Sequence, residues 1–230
     1  MVEFRAVSKL YVRRTGGPAV AALTDCSLQI AAGEVVVVSG PPGAGKSTLL
    51  RLAAGEERPT QGRLLVDGDD AGSLGRRGLA RLRRRLGLLL AEPGLLADRT
   101  ALDNVALVPR ARGASRRAAR LLALAALRET GLSARATAWP AELTAAEHRR
   151  LCLARALVGT PRLLLADEPT AGLDATTASE IVAVLRQAQA RGITLLVASR
   201  SADLAGALGG RGLALDGGRM VEAARLDGAA

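Results

Sequence analysis

The stretch Gly40-Pro41-Pro42-Gly43-Ala44-Gly45-Lys46-Ser47-Thr48, GPPGAGKST, decides the fold. It fits G-x-x-x-x-G-K-[ST], a glycine loop whose backbone amides cradle phosphate oxygens. Residues 34–39 before it, EVVVVS, read as a strand buried on both faces, the type found in parallel sheets. Residues 47–54 after it, STLLRLAA, read as a short helix stopped by Gly55. Strand, loop and helix in that order is the context the motif requires. The lysine sharpens the match, because the chain has two lysines, Lys9 and Lys46, among 32 basic residues.

Each residue type has a physical reason to be there. Successive amides over residues 43–48 can converge on β- and γ-phosphate oxygens, and the helix behind them adds its positive N-terminal end. Gly43 and Gly45 are expected to let the backbone approach a phosphate with no Cβ in the way. Lys46 supplies a point charge, and the Ser47 hydroxyl suits Mg²⁺. Pro41 and Pro42 stiffen the loop entry and have no N–H to donate.

Working outward, residues 2–7 and 23–30 alternate like strands, with the Gly16-Gly17-Pro18 loop between them. Residues 63–66 form another short strand ending in the Asp67-Gly68 turn. From about residue 72 to 161 the chain becomes Ala/Leu/Arg-rich with helical periodicity, clearest over 116–129. Apolar strands return at 162–166 and 193–199, separated by a helix over about 174–190 whose apolar face is Ile181, Val184, Leu185 and Ala188. Strands alternating with helices around a phosphate loop predict an α/β fold with a mostly parallel sheet. The expected layout is one domain over 1–230. Residues 1–87 and 160–230 form an α/β core with an antiparallel β subdomain, and 88–159 form an inserted α-helical subdomain.

The composition sets limits. A chain of 230 residues can bury a sizeable core. Cys26 and Cys152 lie far apart without metal-ligand spacing and read as reduced core thiols. No apolar run reaches the length of a membrane span, and residues 1–11 lack a signal-peptide layout. The formal charge of +10 is almost all arginine. It admits a nucleic-acid reading. With aromatic residues at 1% there is no stacking platform for single strands, so a specific nucleic-acid partner is not expected.

A second motif follows. Leu163-Leu164-Leu165-Ala166-Asp167-Glu168 is an apolar strand ending in two carboxylates. Parallel strands deliver such residues at the sheet edge where ligands bind. Asp167 is placed to hold Mg²⁺, and Glu168 to polarise an attacking water.

Together GPPGAGKST and LLLADEPTAGLD resemble the ATP-binding subunit of ABC transporters, over residues 4–220. The resemblance implies that ATP and Mg²⁺ are bound by Tyr11 against adenine, by the loop over 40–48 and by Asp167 and Glu168. It implies a separate integral-membrane permease as partner, a homodimer or heterodimer of ATP-binding subunits, and a cytoplasmic position peripheral to the inner face of a bacterial plasma membrane. Asp174 falls at the D-loop position, which crosses the dimer interface in that family. Residues 55–68 and 95–109 look most like the branch of cell-division, lipoprotein-release and macrolide-export ATPases.

Three positions depart from the family pattern. The glutamine expected after the strand at 87–90 is Ala91, followed by Glu92. The signature is Leu143-Thr144-Ala145-Ala146-Glu147. The histidine expected after the last core strand is Arg200, and the chain's one histidine, His148, reads as a solvated helix residue. Thr144 and Glu147 still form a capping box that starts the helix and leaves its first amides free. Ala145 and Ala146 add methyl groups and are expected to resist any φ > 0 the signature needs. Arg200 cannot act as a neutral donor–acceptor, but it can place a permanent charge near the γ-phosphate. The resulting expectation is Mg-ATP binding with slow hydrolysis, and the alternative is a regulatory pseudo-ATPase that uses ATP as a switch.

Overall fold

The computed structural model describes residues 1–12, 18–90 and 94–221. The loop glycines Gly16 and Gly17, and the departures Ala91 and Glu92, lie outside them. Two sheets share the work. β1 (Val2–Tyr11), β2 (Val20–Ile30), β4 (Gln61–Val66) and β5 (Asp69–Asp70) form an antiparallel sheet in the order β2-β1-β4-β5. The second sheet contains β3 (Val35–Ser39), β6 (Leu86–Leu89), β7 (Leu163–Asp167), β8 (Thr194–Ser199), β9 (Arg211–Asp216) and β10 (Arg219–Val221). Its order is β10-β9-β3-β8-β7-β6, parallel throughout except for β10 against β9.

The apolar runs are continuous because both faces of the second sheet are covered. Val36, Val38, Leu163, Leu165 and Leu196 face a core shared with α1 (Lys46–Ala53) and the antiparallel sheet. Their neighbours Val35, Val37, Leu164, Leu195 and Val197 face a second core under α6 (Ala175–Ala190) and α7 (Asp203–Leu208). The period-2 alternation of a strand thus sorts adjacent valines into different cores.

The helical insertion contains α3 (Ala101–Ala111), α4 (Arg116–Glu129) and α5 (Ala145–Leu157), and α2 (Arg76–Arg83) precedes β6. α3, α4 and one side of α5 close a third core around Val105, Ala123, Leu127 and Leu151. The other side of α5 places Cys152, Leu153, Ala156 and Leu157 in the second core, so α5 ties the insertion to the sheet. The boundary expected at residue 88 falls inside β6, which pairs with β7 through Leu89. Asn104, buried on α3, donates to the Leu96, Arg99 and Thr100 carbonyls and accepts from the Leu96 amide. Thr100 caps α3. The stretch that suggested one branch of the family is therefore built around a helix cap and a loop pin.

Candidate active site

β3, β8 and β7 lie side by side and all run the same way, so their C-terminal ends meet at one edge. β3 ends in the glycine loop, β7 ends in Asp167 and Glu168, and the chain leaving β8 reaches Arg200 between them. Topology alone brings together Lys46, Asp167, Glu168 and Arg200.

The loop is held by its own groups. Lys46 is buried, and its Nζ donates to the carbonyls of Gly40 at 2.6 Å and Pro41 at 3.0 Å. The Ala44 amide donates to the Pro41 carbonyl at 3.2 Å. Pro41 has no donor, but its carbonyl accepts from both Lys46 and the Ala44 amide. Gly45, at φ 104°, is the N-cap of α1 and brings no side-chain cap, and the first turn of α1 carries no acid. The first amides of α1 lack intrahelical partners and sit at the positive end of the helix, a donor set that fits phosphate oxygens.

The glycines divide their roles in a way the sequence reading did not anticipate. A Cβ on Gly45 would stand 2.3 Å from the Ala22 carbonyl oxygen on β2. The absent side chain there makes room for protein backbone, not for a ligand. Gly43, at φ 79°, has open space around the Cβ position, so it alone matches the expected approach of a ligand.

Asp167 is 4% exposed, and its carboxylate accepts no hydrogen bond or ion pair from any described residue. With the Ser47 hydroxyl it makes a hard oxygen donor set that fits Mg²⁺. Glu168 sits at φ 48°, a left-handed conformation that costs a non-glycine residue roughly 1–3 kcal/mol and clusters at functional sites. Its amide donates to the Ala198 carbonyl at 2.9 Å, which fixes the turn. The Arg200 amide donates to Glu168 Oε2 at 3.2 Å, and the Arg200 guanidinium lies 3.4 Å from Oε1. The arginine at the histidine position therefore braces the candidate base.

Tyr11 pairs with Val20 at the end of β1 nearest the strand that contacts Gly45. Its hydroxyl is buried without a partner, and Lys9 Nζ stands 5.0 Å from its ring centroid. Lys9 is in turn held by Glu57 at 2.7 Å and the Arg58 carbonyl at 3.0 Å. Sequence reasoning missed this support, although Lys9 was visible as one of two lysines.

No described hydrogen bond or ion pair links the remaining candidates to this edge. Thr144 and Glu147 form the capping box of α5: the Glu147 amide donates to Thr144 Oγ1 at 3.2 Å, and the Thr144 amide to Glu147 Oε2 at 2.9 Å. That bond from the Thr144 amide, helped by Arg135 at 3.0 Å, holds the Glu147 carboxyl below its ordinary range. Ala145 and Ala146 lie in helix α5, and neither is among the positive-φ residues, so the expected conflict with φ > 0 does not arise. Asp174 caps α6, accepting from the Thr177 amide at 3.0 Å and its hydroxyl at 2.7 Å, and these bonds lower its pKa. His148 is half-buried and its Nε2 bonds the Pro140 carbonyl at 2.6 Å, so it is not a solvated residue. Both cysteines are buried and free, and burial pushes both thiols up.

A profile of the ABC transporter family matches residues 23–171, through the glycine loop and the Asp167-Glu168 pair. The chain belongs to the ABC transporter family. Similar proteins include the methionine import ATP-binding proteins MetN of Rhizobium meliloti (39% identical over 96% of this chain and 62% of that protein) and Myxococcus xanthus (39% over 98% and 68%). The chain thus spans about two thirds of their length. Among solved structures, the ATP-binding cassette MJ0796, a dimer in a post-hydrolysis state bound to ADP and Pi, superposes with a TM-score of 0.92 at 32% identity over the whole of both chains. CbiO1 from Clostridium perfringens, part of the cbiONQ ABC transporter complex, gives 0.81 at 27% identity, over 96% of this chain and 86% of that one. The α/β fold of an ABC ATPase is thereby established, and the family is one of ATP-binding, ATP-hydrolysing subunits. The two MetN relatives are methionine import ATP-binding proteins, so the cell-division, lipoprotein-release and macrolide-export branch is not specifically supported. Neither is a regulatory pseudo-ATPase or a reduced activity.

Proposed function

We propose that this chain is the ATP-hydrolysing subunit of an ABC importer of the methionine-import type, working as a dimer on a separate membrane permease. The observation that carries the reading is the shared edge of β3, β8 and β7, where Lys46, Asp167, Glu168 and Arg200 converge. The α1 amides and Lys46 would bind the phosphates of ATP, Tyr11 would flank the base, and Ser47 with Asp167 would hold Mg²⁺. The metal supplies charge neutralisation at the β- and γ-phosphates. Glu168 would orient the attacking water and take its proton.

The α5 end at Thr144, with two uncapped amides at Ala145 and Ala146, and the Asp174 turn make no described hydrogen bond or ion pair to this edge. They are the parts a second subunit would bring to it. Residues 88–159 would contact the permease, at the cytoplasmic face of the membrane; among the described residues no helix is long and apolar enough to cross one. A slowed cycle would rest only on the substitutions at 91, 145, 146 and 200, and the helical φ at Ala145 and Ala146 removes one reason for it. Glu168→Gln in the purified protein tests the assignment. Phosphate release should fall to background while ATP binding persists and a dimer accumulates with Mg-ATP. Undiminished phosphate release would show that Glu168 is not the base.

A further inference from the structure

Helix α4 presents an outward face that nothing in the nucleotide site uses. Its inner side is small and apolar, with Ala119, Ala123, Ala126 and Leu127 buried in the third core. Its outer side carries Leu121, Leu122 and Leu124, exposed to 61%, 42% and 40%. Arg117 stands one turn before Leu121 and Arg128 one turn after Leu124, so guanidiniums bracket the leucines along the helix. Single exposed leucines are ordinary, but three within four residues, framed by charge, form a patch.

The arginines are uncompensated. Among the described residues, no carboxylate pairs with Arg110, Arg116, Arg117, Arg120 or Arg128. The one acid of α4, Glu129, is taken by Arg191 at 2.9 Å. Beside the patch, a cavity of about 570 Å³ between α3 and α4 is lined by Arg110, Arg116 and Arg120, by Arg99, which pairs with Asp98 at 3.6 Å, and by a single acid, Asp103. Asp103 is itself engaged by the Thr100 hydroxyl at 3.0 Å. Leu107 of α3, 49% exposed, extends the apolar row to the cavity mouth. The arginine run over 81–85 differs, since Arg85 pairs with Asp67 and Asp69 while Arg83 bonds the Ala54 and Gly55 carbonyls.

We propose that the α3–α4 face docks on an anionic lipid surface. None of the three leucines lines the α3–α4 cavity, and Leu121 and Leu124 border a separate open depression of about 350 Å³ together with Arg128, so the apolar and cationic groups meet at one surface that a fluid bilayer can follow. Leucines enter the boundary between headgroups and acyl chains, while arginines on long apolar stems reach the lipid phosphates. Unpaired guanidiniums supply the attraction to negative headgroups, and that attraction falls with salt. The proposal does not depend on nucleotide turnover.

The test is co-sedimentation of the purified full chain with vesicles, either phosphatidylcholine alone or phosphatidylcholine containing about a third phosphatidylglycerol, a composition rich enough in charge to hold basic segments. The chain should bind the anionic vesicles, bind the neutral ones far less, and dissociate in high salt. Each arginine contributes on the order of a fivefold change in partitioning, so R117Q/R128Q should weaken binding by about 25-fold. L121S/L124S should weaken it independently of charge, and R77Q/R81Q on α2, which removes the same charge away from the leucines, should leave most of it. All these sites are exposed, so thermal melts and ATP binding should match the parent. Three results would each overturn the proposal. One is equal binding to both vesicle types. Another is an α2 control that loses as much as the α4 variant. The third is α4 variants that bind vesicles normally yet lose association with the membrane permease, which would give this face to a protein partner.

Discussion

Replacing Arg200 by alanine separates two roles whose magnitudes differ by orders of magnitude. The Arg200 guanidinium lies 3.4 Å from Glu168 Oε1, with side-chain exposures of 65% and 21%. An ion pair that open contributes about 0–1 kcal/mol. The Arg200 amide also donates to Glu168 Oε2, and alanine keeps that bond. If the guanidinium only braces the base, its removal costs at most about 1 kcal/mol, or roughly fivefold in kcat. If it instead acts on the γ-phosphate as an arginine finger does, the loss is about 10³–10⁵-fold. The geometry has the guanidinium on the carboxylate, so the smaller loss is expected, with KM for ATP unchanged. Phosphate release at saturating Mg-ATP, compared for the parent and Arg200→Ala, reads the difference directly. A thousandfold fall in kcat refutes the brace. Arg200→His adds a second readout, since an imidazole titrating near about pH 6.5 should make the variant's rate depend on pH where the permanently charged arginine contributes no such dependence.

The two loop glycines should fail differently. Gly45→Ala drives a Cβ against the Ala22 carbonyl at 2.3 Å and should cost about 3 kcal/mol or more in urea unfolding without nucleotide. Gly43→Ala meets no neighbour and should cost only the left-handed strain, about 1–2 kcal/mol, with its larger effect on ATP affinity; equal unfolding costs would contradict the packing argument. Lys46→Ala should weaken ATP binding about tenfold or more by calorimetry, the scale of a charge-assisted hydrogen bond, and unchanged affinity would remove Lys46 from the phosphate site. The Glu147 carboxyl has a folded pKa below its ordinary value, so its stabilisation is present above about pH 4.5 and is lost as pH falls through the lowered value. Thermal melts between about pH 5 and 3 should therefore show a shallower fall for Glu147→Gln than for the parent, and parallel curves would mean the cap contributes nothing there.

Most of the sheet was legible because its strands are coded by burial on both faces. Residues 35–38, 163–166 and 195–198 are apolar without interruption, and the 116–129 helix matches its observed limits. The β9–β10 hairpin and α7 were not read. β9 is Arg-Gly-Leu-Ala-Leu-Asp, largely exposed near the sheet edge, where neither alternation nor a continuous apolar run is required. The N-terminal strands extend beyond their expected limits through bulges, and bulged pairing breaks the period-2 pattern on which the reading relied.

The site was legible residue by residue but not as a set of contacts. Motif spacing could place Lys46, Asp167 and Glu168, since each sits at the end of a readable strand. It could not show that β8 lies between β3 and β7, and that insertion is what puts Arg200 against Glu168. A residue judged from sequence as a lost histidine becomes, once strand order is known, the group that holds the candidate base. The same holds for Gly45, whose reason lies 23 residues upstream in the Ala22 carbonyl. The Gly45 and Arg200 constraints are set by tertiary neighbours, and a substitution at either position has to be judged by what the sheet order places next to it. Family pattern treats Arg200 as a defect. Geometry treats it as a different solution to holding Glu168 in a left-handed turn, through its amide on Oε2 and its guanidinium beside Oε1.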